Sequence, residues 1–275
     1  MMIVVSVIAV MVSMGLIFGF ILAIANKKLA AELNPLVHLV EDVLPKGQCG
    51  ACGFAGCQAY AEAVVSDPSV QPNLCAPGKA AVAKRIAELT GKSLVEIIPR
   101  VAHVNCANPI DVAKLKYHYS GLMDCTAASI LHFGPKDCPY GCIGFGTCEK
   151  HCPFDAIHLN REGLPVVDIK KCTGCGKCET VCPKSVIKMV PLGVPVAVKC
   201  NSLAKGAEAR NHCSVACLGC GICVRNCTHS AIKIENNLAV VNSGICLKEC
   251  TESTCLQKCP THAIQACVSV QARAV

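Results

Sequence analysis

Twelve residues in the middle of the chain, CTGCGKCETVCP from Cys172 to Pro183, constrain its fold more than any other stretch. Their cysteines are separated by two, two and three intervening residues. Three thiolates at the shorter spacing can wrap the faces of one iron-sulfur cube, whereas the fourth lies on the following helical turn and points away. The fourth thiolate is therefore expected to ligate a second cluster, which requires a partner motif elsewhere in the chain.

This run has the CxxCxxCxxxCP spacing of bacterial ferredoxins, and a zinc site is the competing interpretation. Zinc uses two CxxC pairs with a wide gap and has no use for a third Cys at the same spacing. Small residues between the ligands also let backbone N–H groups turn toward sulfur, which tunes the potential of a cluster. The spacing therefore favours [4Fe-4S] clusters.

The composition supports metal clusters throughout the chain. Twenty-five Cys in 275 residues are far too many for an ordinary cytosolic enzyme, and their spacing favours clusters over a disulfide scaffold. Aromatic residues make up only 4% and Trp is absent, so the cores are expected to pack around clusters. Each cluster with four thiolates carries about −2, so five clusters would bring the formal charge of +7 to about −3.

The first apolar stretch, Ile3 to Ala25, carries no charge and predicts one membrane-spanning helix within an anchor of residues 1–28. A cleaved signal peptide is the alternative, because Ala23 to Ala25 has the small-x-small form of a cleavage site. No basic residue precedes the run, however, and the run exceeds a signal h-region. Lys27 and Lys28 follow it, so the positive-inside rule predicts a single-pass protein of the inner membrane with its body in the cytoplasm.

A stalk helix and a four-Cys domain are predicted over residues 29–99. Apolar residues recur at helical spacing from Leu29 to Val43, with Pro35 giving a kink or a fresh start. Further helices are expected from Gln58 to Val65 and from Gly78 to Leu89, the latter ending at Gly91. The four thiols that can close one cluster there, with zinc as the alternative, are Cys49, Cys52, Cys57 and Cys75.

The rest of the chain is repetitive. The segments CPFDAI, CPKSVI, CTHSAI and CPTHAI each join a cluster Cys to a short apolar tail, and they predict two tandem two-cluster ferredoxin folds, residues 100–199 and 200–275. Crossed ligation predicts two clusters in the first fold, held by Cys138, Cys142, Cys148 and Cys182, and by Cys152, Cys172, Cys175 and Cys178. It predicts two in the second, held by Cys217, Cys220, Cys223 and Cys259, and by Cys227, Cys246, Cys250 and Cys255.

The first and last motifs, CPYGCIGFGTCEKHCP and CLKECTESTCLQKCP, stretch the standard spacing to three and then five or four residues. In CPYGCIGFGTCEKHCP, Phe145 stands where the third motif has Cys220, so Cys138 is expected to substitute as the ligand. The third motif has Thr228 in place of Pro after its last Cys.

Five cysteines remain outside these sets: Cys106, Cys125, Cys200, Cys213 and Cys267. Cys106 in VNCANP and Cys200 in VKCNS echo the duplication, and the alternatives for the five are a sixth cluster from four of them or buried thiols.

The combination of one N-terminal apolar helix, CGACGFAGC with a distant Cys75, and tandem ferredoxin motifs resembles the B subunit of the Rnf complex, an ion-translocating ferredoxin:NAD oxidoreductase. The extra ferredoxin pair resembles the long form found in anaerobes. The resemblance implies an α+β chain with about five [4Fe-4S] clusters that accepts electrons from soluble reduced ferredoxin and passes them to other Rnf subunits. NAD is then reduced at a flavin of the C subunit, and cation transport accompanies the flow.

The chain has no phosphate-binding loop, no dinucleotide fingerprint and no nucleophile with a base. It is therefore expected to carry electrons without binding NAD itself, and no nucleic-acid partner is expected. Two other functions stay open at this point. One is the electron-transfer subunit of a membrane reductase for a redox sensor, and the other is a metal-binding module without redox traffic.

Overall fold

The computed structural model describes residues 2–29, 34–94, 98–108, 113–250 and 252–267. The chain begins with helix α1 (Met2–Leu29), within which Ile3–Ala25 forms 23 residues of mean hydropathy 2.8. None of this apolar surface is buried against the described part of the chain. Its length and composition suffice to cross a bilayer, as predicted.

A small helical domain follows, built from α2 (Pro35–Val43), α3 (Cys57–Ser66) and α4 (Lys79–Thr90). Asn34 caps α2 by accepting a hydrogen bond from Leu36 N, and Pro35 occupies the first turn, so the proline starts a new helix. Gly91 ends α4 at φ 68°, the left-handed conformation that favours glycine. The three helices bury a core that consists of Val37, Val40, Leu44, Tyr60, Ala61, Val64 and Ile86.

The first ferredoxin-type domain contains, in chain order, β1 (Arg100–Val104), α5 (Cys125–Ile130), α6 (Thr147–Lys150), β2 (Ile157–Leu159), β3 (Pro165–Val167), α7 (Lys177–Thr180) and β4 (Ile187–Pro191). β1 pairs antiparallel with β4, with Val104 opposite Ile187. β2 pairs antiparallel with β3, with Ile157 opposite Val167.

The second domain repeats this plan with β5 (Val196–Val198), α8 (Gly206–His212), α9 (Ile222–Arg225), β6 (Ile232–Glu235), β7 (Leu238–Val241), α10 (Ser243–Glu249), α11 (Thr254–Gln257) and β8 (Ile264–Ala266). Its first strand again pairs with its last, β5 with β8, and its middle strands β6 and β7 pair with each other. The α+β fold class, with an apolar helix, an iron-sulfur domain and two ferredoxin-type domains, is thus confirmed.

The division between the two domains lies slightly earlier than predicted. β5 precedes the expected start of the second domain at residue 200, yet it pairs with β8 at the far end of that domain. A strand belongs with its hydrogen-bonded partner, and this pairing has no local signal in the sequence.

The apolar tails of the four motifs form the domain cores. Ile157, Ile187, Ile232 and Ile264 each begin a strand, and each is at most 2% exposed. Burying an isoleucine is worth about 1.5–3 kcal/mol, so these side chains are a main apolar contribution in a chain with few aromatic residues.

The two ferredoxin-type domains are in direct contact. His212 Nδ1 lies 2.8 Å from Asp137 Oδ2, and Asn201 Nδ2 donates to Lys184 O over 2.9 Å. Asp137 and Lys184 belong to the first domain, whereas Asn201 and His212 belong to the second. These polar contacts join the two repeats.

Candidate metal centres

In the helical domain, the structure brings together the four thiols predicted for one cluster. Cys49 and Cys52 lie in a glycine-rich loop, Cys57 begins α3, and Cys75 returns before α4. Burial is the main cause that raises the pKa of Cys75 to about 11, and the charges of Cys57, Cys49 and Cys52 contribute to that rise. Cys52, Cys57 and Cys75 also pack against the same core of the helical domain.

A cavity in the first ferredoxin-type domain is lined by four predicted ligands: Cys152, Cys172, Cys175 and Cys178. Cys152 comes from the preceding motif, so the arrangement is the crossed one. Ala156 N donates to Cys152 Sγ over 3.3 Å, and Ala102 N donates to Cys172 Sγ over 3.5 Å. Such N–H groups stabilise thiolates and the clusters they bind.

The second cavity of this domain departs from the expected set. It is lined by Cys125, Cys142, Cys148 and Cys182. Cys138, which the motif spacing predicted as a ligand here, does not line it. Phe145, at the position of the missing Cys, is 9% exposed and packs with Tyr119 at a ring distance of 5.3 Å. The fourth thiol therefore comes from the neighbouring helix α5.

Hydrogen bonds hold Cys125 at this cavity. Asp124 caps α5 by accepting from Thr126 N at 2.8 Å and Ala127 N at 3.0 Å. Thr147 Oγ1 donates to Asp124 Oδ2 over 2.7 Å and accepts from Cys125 N over 2.8 Å. Thr147 lies directly before Cys148, so one hydroxyl connects the segments that carry two of the thiols.

The second domain repeats the crossed arrangement. One cavity is lined by Cys217, Cys220, Cys223 and Cys259. At the other predicted site, burial and the charges of Cys250, Cys255 and Cys227 raise the pKa of Cys246. Ala231 N donates to Cys227 Sγ over 3.3 Å, the same distance as between Ala156 N and Cys152 Sγ in the first domain.

The donor chemistry fits iron-sulfur clusters. Within the described ranges, no three Cys, His, Asp or Glu side chains converge on a point that could hold a single metal ion. The thiols instead surround cavities in sets of four, the ligand number of a [4Fe-4S] cube. Burial raises the pKa of Cys148 and of Cys178 to about 12, so ligation requires these thiols to lose their protons to the solvent.

The candidate centres are neighbours along the molecule. The Cys49 thiol of the helical domain contributes to the raised pKa of Cys175, and the Cys148 thiol contributes to that of Cys178, although burial is the main cause of both shifts. The helical-domain site is therefore near the cavity of Cys175, which is near the cavity of Cys148.

Two family models match this chain. Residues 44–77 match the family described as putative Fe-S cluster. Residues 140–187 and 171–232 match the 4Fe-4S dicluster domain. The fold and its thiol sets thus define an iron-sulfur protein of the ferredoxin type with an N-terminal helix apolar enough to span a membrane.

Relatives cover nearly the whole chain. The B subunit of the proton-translocating ferredoxin:NAD(+) oxidoreductase complex of Clostridium ljungdahlii is 59% identical over 266 residues, 97% of this chain and 93% of that protein. The B subunit of the Na(+)-translocating complex of Acetobacterium woodii is 42% identical, over 91% of this chain and 74% of that protein. The B subunit of the ion-translocating oxidoreductase complex of Methanosarcina acetivorans is 38% identical, over 94% of this chain and 96% of that protein. The chain belongs to the family of B subunits of these Rnf complexes, which confirms the resemblance seen in the sequence.

Proposed function

We propose that this chain accepts electrons from soluble reduced ferredoxin and passes them to the membrane subunits of an ion-translocating ferredoxin:NAD oxidoreductase. The observation that carries the proposal is the succession of thiol sets in the helical domain and both ferredoxin-type domains, which follow the apolar helix in the chain. The relatives' names, which combine ferredoxin:NAD(+) oxidoreductase with ion translocation, favour this function over a reductase for a redox sensor.

The proposed cofactors are five [4Fe-4S] clusters, each of which stores and releases one electron when bound. Four sets are those expected from the motifs, and in the remaining set Cys125 replaces Cys138 beside Cys142, Cys148 and Cys182. The protein supplies the thiolates, the backbone N–H groups directed at sulfur, and the apolar side chains that line the cavities. Hydrogen bonds to sulfur and the exposure of a cluster to solvent both set its potential.

The proposed location is the inner membrane, with the cluster domains on the cytoplasmic side. Lys27 and Lys28 directly follow the apolar run. Basic residues close to the end of a membrane-spanning helix tend to stay on the cytoplasmic side. A reducing cytoplasm would also keep cysteines free for iron.

Electron acceptance can be tested with the anaerobically purified full-length chain mixed with chemically reduced ferredoxin. We expect the reduced-cluster electron paramagnetic resonance signal of ferredoxin to decrease while reduced-cluster signals of the chain appear, with one electron lost by ferredoxin per cluster reduced. Ferredoxin that remains reduced in the presence of a chain with its full iron content would contradict the proposed donor.

A second experiment uses the whole complex. There, Cys178→Ser is expected to slow ferredoxin-dependent NAD reduction, and a wild-type rate in this variant would show that the cluster of Cys178 is not on the electron path.

The cluster content provides an independent measurement. Five sets of four ligands predict about 20 iron atoms in these five sites. An iron content of about 12 atoms in the intact chain would contradict the prediction of two two-cluster ferredoxin domains. Zinc in place of iron in the anaerobically prepared protein would instead support a metal-binding module without redox traffic.

A further inference from the structure

Four cysteines outside these five sets lie where the two ferredoxin-type domains meet. Cys106 and Cys138 belong to the first domain, and Cys200 and Cys213 to the second. Within the first pair, Cys106 Sγ and Cys138 Sγ lie 3.8 and 3.6 Å from the point that a Cβ on Gly141 would occupy. The two sulfurs therefore face the same small space beside Gly141.

The two pairs are equivalent positions of the internal duplication. Cys106 follows β1 in a Val-x-Cys sequence, and Cys200 follows β5 in the same sequence. Cys138 stands four residues before Cys142, and Cys213 stands four residues before the equivalent Cys217. Each domain thus contributes the same two thiols to the contact between the domains.

Cys106 and Cys200 also accept equivalent hydrogen bonds from the backbone. Cys142 N donates to Cys106 Sγ over 3.4 Å. Cys217 N likewise donates to Cys200, whose sulfur also accepts from Ser202 N at 3.4 Å. Backbone N–H groups directed at sulfur are a feature of thiolates that bind clusters. In addition, Cys142 and Cys217 line cavities of their own, so this contact adjoins one centre in each domain.

Hydrogen bonds across the domain boundary bring the two pairs together. His212, next to Cys213, contacts Asp137, next to Cys138, over 2.8 Å. Lys184 joins the same segments, because its Nζ donates to the carbonyl next to Cys138 over 2.7 Å and its own carbonyl accepts from Asn201, next to Cys200, over 2.9 Å. Cys106 and Cys200 are each 8% exposed, whereas Cys138 and Cys213 are partly buried. The four thiols consequently form one largely enclosed group.

Two lysines lie beside the group. Lys136 is only 3% exposed, its Nζ donates to Asn108 O over 2.9 Å, and its charge acts on Cys213. Lys199, next to Cys200, is within electrostatic reach of Cys106. Lysine is rarely as buried as Lys136 unless it faces negative charge, and a cube with four thiolates supplies about −2.

We propose that Cys106, Cys138, Cys200 and Cys213 ligate a sixth [4Fe-4S] cluster held jointly by the two ferredoxin-type domains. This inference rests on the proposed electron-transfer function for its role, but the site itself is argued from the thiols alone. The cluster gains one electron from a neighbouring cluster, which is oxidised by one electron, and then returns to its oxidised state by reducing the cluster on its other side. Its neighbours are the cluster site of Cys142 and the cluster site of Cys217.

The test is an iron and acid-labile sulfide count on the anaerobically purified full-length chain, with metal analysis for zinc. We expect about 24 iron atoms in the wild type and about four fewer in Cys106→Ala/Cys200→Ala, which removes one ligand from each domain. Because those two thiols are buried, Cys138→Ala/Cys213→Ala serves as a second variant at the more exposed positions. Cys267→Ala, a buried thiol outside the four, is the matched control and should keep the full iron content.

The proposal is overturned if the wild type holds about 20 iron atoms, if zinc fills the remaining site, or if both double variants retain the wild-type iron content. These results are independent of the ferredoxin reaction. A chain with about 20 irons that still oxidises ferredoxin would contradict the sixth cluster alone, and one with about 24 that does not would contradict the proposed donor alone.

Discussion

The hydroxyl of Thr147 donates to the Asp124 carboxylate over 2.7 Å, and this contact joins the helix that starts at Cys125 to the segment that carries Cys148. The same carboxylate caps the helix through its other oxygen. A hydrogen-bonded cap thereby positions a thiol that no motif identifies.

Replacing this cap should loosen the cluster site of Cys125. Asp124→Ala removes the acceptor of two backbone N–H groups and should cost about 0.5–2 kcal/mol. We expect a lower melting temperature and faster iron loss to a chelator in the anaerobic full-length protein. Asp124→Asn keeps the capping oxygen but replaces the oxygen that accepts from Thr147 by an amide nitrogen, so it should lie between wild type and Asp124→Ala. Equal iron loss from both variants would show that the cap does not hold Cys125.

The Asp124 contact also has a defined pH dependence. Hydrogen bonding to Thr147 and to backbone N–H groups lowers the pKa of Asp124. The group therefore stabilises the fold above the unfolded value of about 3.9, and the contribution is lost as the pH falls through the lowered pKa. In metal-free protein, the stability difference between wild type and Asp124→Ala should be constant near neutral pH and shrink below about pH 4. A difference that is unchanged at lower pH would contradict this assignment.

Serine variants can identify the fourth ligand of the first cavity. Cys125→Ser should alter the same electron paramagnetic resonance signal, at the same potential, as Cys148→Ser, because both residues line one cavity. Cys138→Ser should alter a different signal, the one changed by Cys106→Ser. Redox titration of the full-length variants makes the comparison. If Cys138→Ser matched Cys148→Ser, the ligand predicted from the motif spacing would be the right one.

Crossed ligation gives a further comparison. Cys182→Ser should reproduce the spectral change of Cys148→Ser and leave the signal altered by Cys178→Ser intact, although Cys182 is nearer to Cys178 in sequence. Serine oxygen is a harder and poorer ligand for iron, so each change should shift a potential or yield a three-iron form. A match between Cys182→Ser and Cys178→Ser would mean that each motif closes its own cluster.

The membrane orientation can be tested with a reporter fused after Val275. Because Lys27 and Lys28 follow the apolar run, a reporter that is active only in the cytoplasm should be active when fused there, and one that is active only in the periplasm should be inactive. Replacing both lysines by glutamine should reduce this bias, while the same change at Lys170 and Lys171, far from the apolar run in the sequence, provides a matched control. A periplasmic reporter signal from the wild type would overturn the proposed orientation.

The sequence predicts most features that depend on local spacing. The end of α4 at Gly91 and the start of α2 at Pro35 follow from backbone chemistry. The crossed thiol sets follow from the repeated motifs, and three of the cavities have the expected crossed partner, Cys152, Cys182 or Cys259.

What the sequence does not predict depends on contacts between distant segments. Cys125 stands far upstream of Cys142, and the one available signal was Phe145 at the position of a missing Cys. Cys138 has a plausible spacing, but it lies beside Cys106, whose position depends on the pairing of β1 with β4. Ligand identity at such sites is decided by tertiary structure, which local spacing does not encode.

Crossed ligation also imposes an order on biogenesis. Cys125, Cys142 and Cys148 leave the ribosome before Cys182, and the cavity they share is incomplete until Cys182 has emerged. A nascent first domain consequently presents open thiols to the cell while the chain is still growing. Because metal binding is coupled to folding, delivery of iron and sulfide must wait for the distal half of each repeat.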